Sequence, residues 1–331
     1  MVCSLKFWLF TAIAFAACDT LAQSSQGGVI PGGRVTSGKI SEWRVPTAKF
    51  PRDPVAAADG NIYFAVKDGD KIARFDPKSR RFNEWDVPAG TLPHGMAVAA
   101  DGKVIFGGSG NGSINEFDPA TGKSREFRTS SRDSIPYALT LDAQGNAWFS
   151  ERRPGYLGKL ERSSGNITEY RVGDDPYGIA LDKQGNVWVS RRGAGTLARV
   201  DANSGTVTEL QLGLGSQPRC IATAPDGMLW VSLYGTGRLA MVDPAASKLV
   251  KVYELPGGPN AGPYAVNVDA LGRVWVSEIQ TNNVILVFPR TDAMRVFKLP
   301  SANAGIRSAT IDADGRYWYI GSHAGTLGVI E

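Results

Sequence analysis

Cysteine is nearly absent from this chain: three in 331 residues, two of them, Cys3 and Cys18, close to the amino end. If the leader described below is cut after Ala22, Cys220 stands alone, and one thiol closes no internal disulfide. Histidine is scarcer still, with only His94 and His323. Their surroundings contain no HExxH pair, no cysteine cluster, no EF-hand loop and no nucleophile elbow with a Ser-His-Asp order. Charge of one sign is also lacking. The balance of 36 Lys and Arg against 32 Asp and Glu leaves +4, too little to mark a nucleic-acid binder. After the leader no run approaches the ~18 uninterrupted apolar residues of a membrane span. Gly-Ser-Gly-Asn-Gly at 108–112 opens no helix, so it is a loop and not a phosphate cradle.

What is abundant is turn chemistry and aromatic bulk. Thirty-nine Gly and nineteen Pro argue for many short strands joined by tight turns. Eight Trp, ten Tyr and thirteen Phe supply a core and exclude a disordered chain. The first 22 residues read as a signal peptide: Lys6, an apolar run from Phe7 to Ala17, and the small-residue exit Thr20-Leu21-Ala22. That predicts export to the periplasm or the medium. A second reading takes Phe15-Ala16-Ala17-Cys18 as a lipobox with Cys18 lipidated. Residues 23–39, rich in Ser and Gly, read as a flexible lead-in.

From residue 40 the chain repeats seven times at about forty residues. Ser41-Glu42-Trp43, Asn83-Glu84-Trp85, Arg125-Glu126-Phe127, Thr168-Glu169-Tyr170 and Thr208-Glu209-Leu210 are copies of one strand. Each is followed by a loop and a strand such as Pro93-His94-Gly95-Met96 or Pro176-Tyr177-Gly178-Ile179. An Asp-Gly turn (Asp59-Gly60, Asp101-Gly102, Asp226-Gly227, Asp314-Gly315) then leads to a second strand such as Trp188-Val189-Ser190. Four strands per repeat predict an all-β, seven-bladed β-propeller over 40–331. The chain ends on a third strand and begins, at Ile40 to Val45, with a lone fourth. Pairing these two would close the ring and remove exposed edges.

In every repeat fourteen positions separate the residue after the Pro, or its equivalent, from the end of the second strand. Arg52 maps to Val66, His94 to Gly108, Tyr137 to Glu151 and Tyr177 to Arg191. Arg219 maps to Leu233, Tyr264 to Glu278 and Arg307 to Gly321. A hairpin brings its two ends to one side, so these residues are expected at one mouth of the central channel. Arg52, Arg191, Arg219 and Arg307 suit a carboxylate or phosphate, and Tyr137, Tyr177 and Tyr264 an apolar or ring-shaped group. The bland reading pairs Glu151 with Arg191 and Glu278 with Arg307 as braces. His94 is the candidate general base, and His323, in a loop of the last blade, the weaker one. Cys220, between Arg219 and Ile221, reads as a small buried hydrophobe or, with its pKa lowered by Arg219, as a nucleophile.

The phrases Ile-Thr-Glu-Tyr (167–170), Pro-Tyr-Gly-Ile (176–179) and Trp-Phe-Ser-Glu (148–151) resemble the virginiamycin B lyase (streptogramin lyase) family over residues 40–331. The resemblance implies a seven-bladed propeller. In the antibiotic-degrading members it implies magnesium-assisted elimination that breaks an ester C–O bond in a cyclic depsipeptide. It puts His94 at the base-like position after a Pro, with Leu92 where the family has an acidic residue and Gly108 where it has a Glu. It puts Glu151 and Glu278 at the metal-binding position, in blades whose His slot holds Tyr137 and Tyr264. Gluconolactonase-type six-bladed propellers match less well. Two function classes follow: a lyase-like C–O-cleaving enzyme acting on a small cyclic or anionic ligand, and a non-catalytic propeller that docks a small molecule, peptide, glycan or partner protein.

Overall fold

The computed structural model describes residues 37–131, 133–173 and 175–331. The predicted leader, with Cys3 and Cys18, and most of the lead-in lie outside them. The described chain forms seven four-stranded antiparallel sheets, and none of its helices is long and apolar enough to cross a membrane.

In six sheets the strands follow chain order, so each blade is a meander built outward from the channel. The first blade runs from Pro51–Ala56 through Ile62–Val66 and Lys71–Asp76 to Arg81–Asp86. The innermost strands of the next five begin at Pro93, Pro136, Pro176, Pro218 and Pro263. The seventh blade is composite: Ile306–Ile311, Tyr317–Gly321 and Thr326–Ile330 are completed by Ile40–Arg44, with Ile40 opposite Ile330. The closure predicted from the two orphan strands is therefore present, and the Gly38 amide donates to the Glu331 carbonyl at 2.7 Å. Asp-Gly turns behave as expected, Gly60 taking φ +82° and Gly227 φ +96°.

Strands such as Ile62–Val66 are buried at every position and send successive side chains to opposite faces, so both faces of a blade must be covered by its neighbours. Each of the seven interfaces accordingly holds one buried cluster. Between the last two blades Trp275 stacks on Tyr317 at 5.0 Å. Between the seventh and first, Trp318, Phe64 and Phe75 meet beneath Trp43 of the closing strand. Polar atoms that go into this core bring partners. The indoles of Trp148, Trp188, Trp275 and Trp318 each donate to the aspartate opening the hairpin before them, as Trp188 does to Asp182 at 2.9 Å.

Two local features aim the innermost strands. Each carries a one-residue bulge near its start, where the register shifts. In the third to sixth blades a serine on the second strand pins it. Ser190 Oγ accepts from the Gly178 amide of its own blade (2.9 Å) and donates to the Arg219 carbonyl of the next (2.5 Å). Ser150, Ser232 and Ser277 repeat this. Neighbouring strands crowd at this level: a Cβ on Gly178 would collide with the Arg219 carbonyl, and one on Gly95 with that of Tyr137.

Candidate functional site

The bulge corrects the pairing inferred from the fourteen-residue spacing. The end of each second strand lies opposite the Pro itself, as Pro136 faces Glu151 and Pro176 faces Arg191. The next residue stands at the bulge; in the first two blades it is still paired, Arg52 with Ala65 and His94 with Gly107. The predicted residues separate into two groups.

One group converges. The hydroxyls of Tyr137, Tyr177 and Tyr264, from three different blades, hydrogen-bond to one another at the centre of the channel. Arg219 lies over the rings of Tyr177 and Tyr264, 4.8 and 5.2 Å from their centroids, and over Tyr234 at 4.5 Å. Arg307 lies over Phe50 and Tyr264 and donates to the Gly305 carbonyl at 3.1 Å. Among the described residues neither arginine has a carboxylate partner, and Arg219 Nε is buried without a protein partner. Arg152 and Arg192 stand over Tyr177 but are both engaged by Asp175. Arg52 reaches across the channel to Tyr137 Oη at 3.5 Å and pairs with Asp53, Nε to Oδ2 2.7 Å.

His94 sits inside this group, 1% exposed. Its Nδ1 is 2.8 Å from the Tyr137 carbonyl and 3.2 Å from Asp53 Oδ2, and its Nε2 is buried with no protein partner. Burial and the Arg52 charge push its pKa down to about 3, so the ring is neutral at physiological pH. Burial alone would raise the Asp53 carboxyl; Arg52, His94 and the Gly95 amide outweigh it and hold that group below its ordinary value. Burial and the like charge of Arg52 lower Arg307. Burial and the nearby Asp53 push the Cys220 thiol up to about 12, the opposite of an activated nucleophile. These groups line a cavity of about 110 Å³ that includes Arg52, His94, Arg307 and the three tyrosines.

The other group does not join. Arg191 is engaged by Glu209 of its own blade rather than by Glu151. Glu278 accepts from the Gly257 amide (3.0 Å) and Thr281 Oγ1 (2.6 Å), not from Arg307. Glu151 accepts from Ser134, its other oxygen is buried and unpartnered, and burial raises its pKa to about 7. His323 is exposed on the rim beside Asn303 and Phe50.

Asp53 escaped the sequence reading, although a signal existed. Two positions after the Pro, where it stands, the other blades carry Gly95, Ala138, Gly178, Cys220, Ala265 and Ser308. A carboxylate in a ring of small residues is the exception that a blade-by-blade alignment exposes.

The magnesium implied by the family resemblance finds no fitting donor set. Glu151 and Glu278 belong to the third and sixth blades, and Glu278 is satisfied by its own loops. Among the described residues no three His, Cys, Asp or Glu side chains gather where a cation could be held.

Fold and site together define a seven-bladed propeller with a cationic, aromatic channel mouth. The virginiamycin B lyase family profile matches residues 26–200 and, overlapping, 81–331. The chain belongs to that family. Among solved structures it is similar to a streptogramin B lyase, with a TM-score of 0.82, 23% identity, and 88% of this chain and 96% of that one covered. It is similar also to virginiamycin B lyase from Staphylococcus aureus, with a TM-score of 0.81, 19% identity, and 88% and 98% covered. A catalytically inactive variant of that enzyme with quinupristin matches equally well. Hydrazine synthase of Kuenenia stuttgartiensis shares the fold more loosely, with a TM-score of 0.74, 14% identity, and 86% and 96% covered. At these identities the likeness speaks for the fold alone. A search of the curated proteins finds no matching relative.

Proposed function

We propose that this exported propeller binds a small anion, a carboxylate or phosphate, at the tyrosine–arginine mouth of its channel. The observation that carries the reading is the pairing pattern of the arginines. Arg52, Arg152 and Arg192 have carboxylate partners, whereas Arg219 and Arg307 are held over aromatic rings. Among the described residues neither of these two has a carboxylate partner, and such a guanidinium is poised for an incoming one. Binding here calls for no divalent ion.

A second reading is C–O elimination from a cyclic or anionic ligand, with His94 as base and Arg52, Arg219 and Arg307 stabilising the developing negative charge. The free Nε2 of His94 favours it. The depressed pKa counts against it, since so weak a base takes few protons at neutral pH. Loss of turnover with retained affinity in His94→Ala would restore the enzyme reading.

A ligand that binds only the folded state stabilises it by mass action, about 2.7 kcal/mol at a hundred times Kd. Thermal-shift titration with phosphate and simple carboxylates at constant ionic strength should raise the melting point. In Arg307→Met the anion-dependent rise should vanish while the anion-free protein melts no lower, because a charge repelled by Arg52 has gone. An identical rise in variant and wild type would refute the site.

A further inference from the structure

His94 stands in for a missing serine. In the second blade Gly107 occupies the position of Ser150, Ser190, Ser232 and Ser277 and has no hydroxyl to reach the next blade. The bond that Ser150, Ser190 and Ser232 make, to the carbonyl one residue after the Pro of the following blade, is made here by His94 Nδ1 to Tyr137 at 2.8 Å. A carbonyl only accepts, and so does the ionised Asp53 carboxylate 3.2 Å from the same nitrogen. The proton is therefore on Nδ1. The Gly95 amide, 2.9 Å from both Nδ1 and Asp53 Oδ2, gives its hydrogen to the carboxylate.

This tautomer leaves Nε2 as a lone-pair acceptor, buried and unpartnered, on a ring that lines the cavity. A serine in the same place would spend its single oxygen on the brace. The imidazole completes the brace with one nitrogen and offers the other to whatever fills the channel. Arg52, Asp53 and Arg307 line the same cavity; Asp53 is tied to Arg52, so the charge left over is that of Arg307, which repels a positively charged donor and not a neutral hydroxyl. At about 110 Å³ the space admits a handful of non-hydrogen atoms.

Building on the anion-site reading, we infer that the ligand is a small hydroxy acid. Its carboxylate meets Arg307, and its hydroxyl donates to Nε2 of His94. Lactate and propionate, identical but for one hydroxyl, test this by calorimetric titration of the full chain at pH 7 and fixed ionic strength. Lactate should bind roughly tenfold or more tighter, because a site built around a donor rejects the analogue that lacks it. Alanine, with an ammonium in place of the hydroxyl, should bind worst of the three. His94→Phe keeps the ring packed on Tyr137 and should erase the preference for lactate; the wild-type comparison stands by itself if that variant does not fold. Equal affinities for lactate and propionate would overturn the hydroxy-acid assignment and leave the anion site intact. Tighter binding of alanine would overturn it in favour of an ammonium donor. Binding of phosphate without any carboxylate would also overturn it, and failure of every anion would remove both readings.

Discussion

Burial moves His94 and Glu151 in opposite directions. The folded His94 refuses a proton down to about pH 3, whereas the unfolded side chain accepts one near 6.5. Acidification through that window destabilises the fold by up to about 1.4 kcal/mol per pH unit. Glu151 keeps its proton up to about pH 7. Its contribution is complete below the unfolded value near 4.3 and is lost as pH rises through 7. The two slopes oppose each other between about pH 4.3 and 6.5. Glu151→Gln, a permanent mimic of the neutral acid, should therefore be about 2–3 kcal/mol more stable than the parent at pH 8, with the gap closing toward pH 4. Melting curves across that range check it, and a loss of stability that ignores pH would contradict the buried neutral carboxyl. At this scale the sequence was partly legible. The types and positions of Arg52, Tyr137, Tyr177 and Arg307 could be read, but which arginine had a carboxylate to itself could not. Those partners, Asp53, Asp175 and Glu209, come from turns and strands whose approach depends on rotamers and on the packing of adjacent sheets.

Among the elements, the innermost strand is the least tolerant. Gly178 has no room for a methyl group, since the next blade's backbone occupies the place, while Ser190 on the same hairpin links the Gly178 amide to the next blade through hydrogen bonds alone. Gly178→Ala should cost about 2–3 kcal/mol through overpacking, and Ser190→Ala about 1–2 kcal/mol through the two hydrogen bonds it loses, to the Gly178 amide and the Arg219 carbonyl. Urea denaturation of both variants would rank them, and the reverse order would mean the strands can spread. The hairpins were plain in the sequence because an Asp-Gly turn between apolar runs has few alternatives. The bulge was not. One extra residue on one strand changes which side chain faces the channel without altering any spacing along the chain. That is why spacing alone groups Glu151, Arg191 and Glu278 with the mouth, although their partners are Ser134, Glu209 and the Gly257 amide.

For the whole molecule, blade count and closure followed from repetition. Seven copies and two unmatched strands leave little else to build, and the composite seventh sheet is the result. Trp43 of the closing strand packs on Phe75 at 4.9 Å and on Trp318 at 6.0 Å, so it seals a seam as well as an edge. A chain starting at residue 46 would bare that seam and the edge of Thr326–Ile330. It should melt well below a chain starting at residue 37 and associate through the open edge, which light scattering alongside calorimetry would detect. Equal melting points would mean that the ring is held shut by its interfaces alone.

The composite sheet also imposes an order of assembly. A chain emerging amino end first carries Ile40–Arg44 with nothing to pair to until Ile330 has been synthesised, although the six blades between can already form. Until Thr326–Ile330 is made, the seven sheets form an open arc with two unpaired edges, and closing it waits on the return of Ile40–Arg44 to that strand.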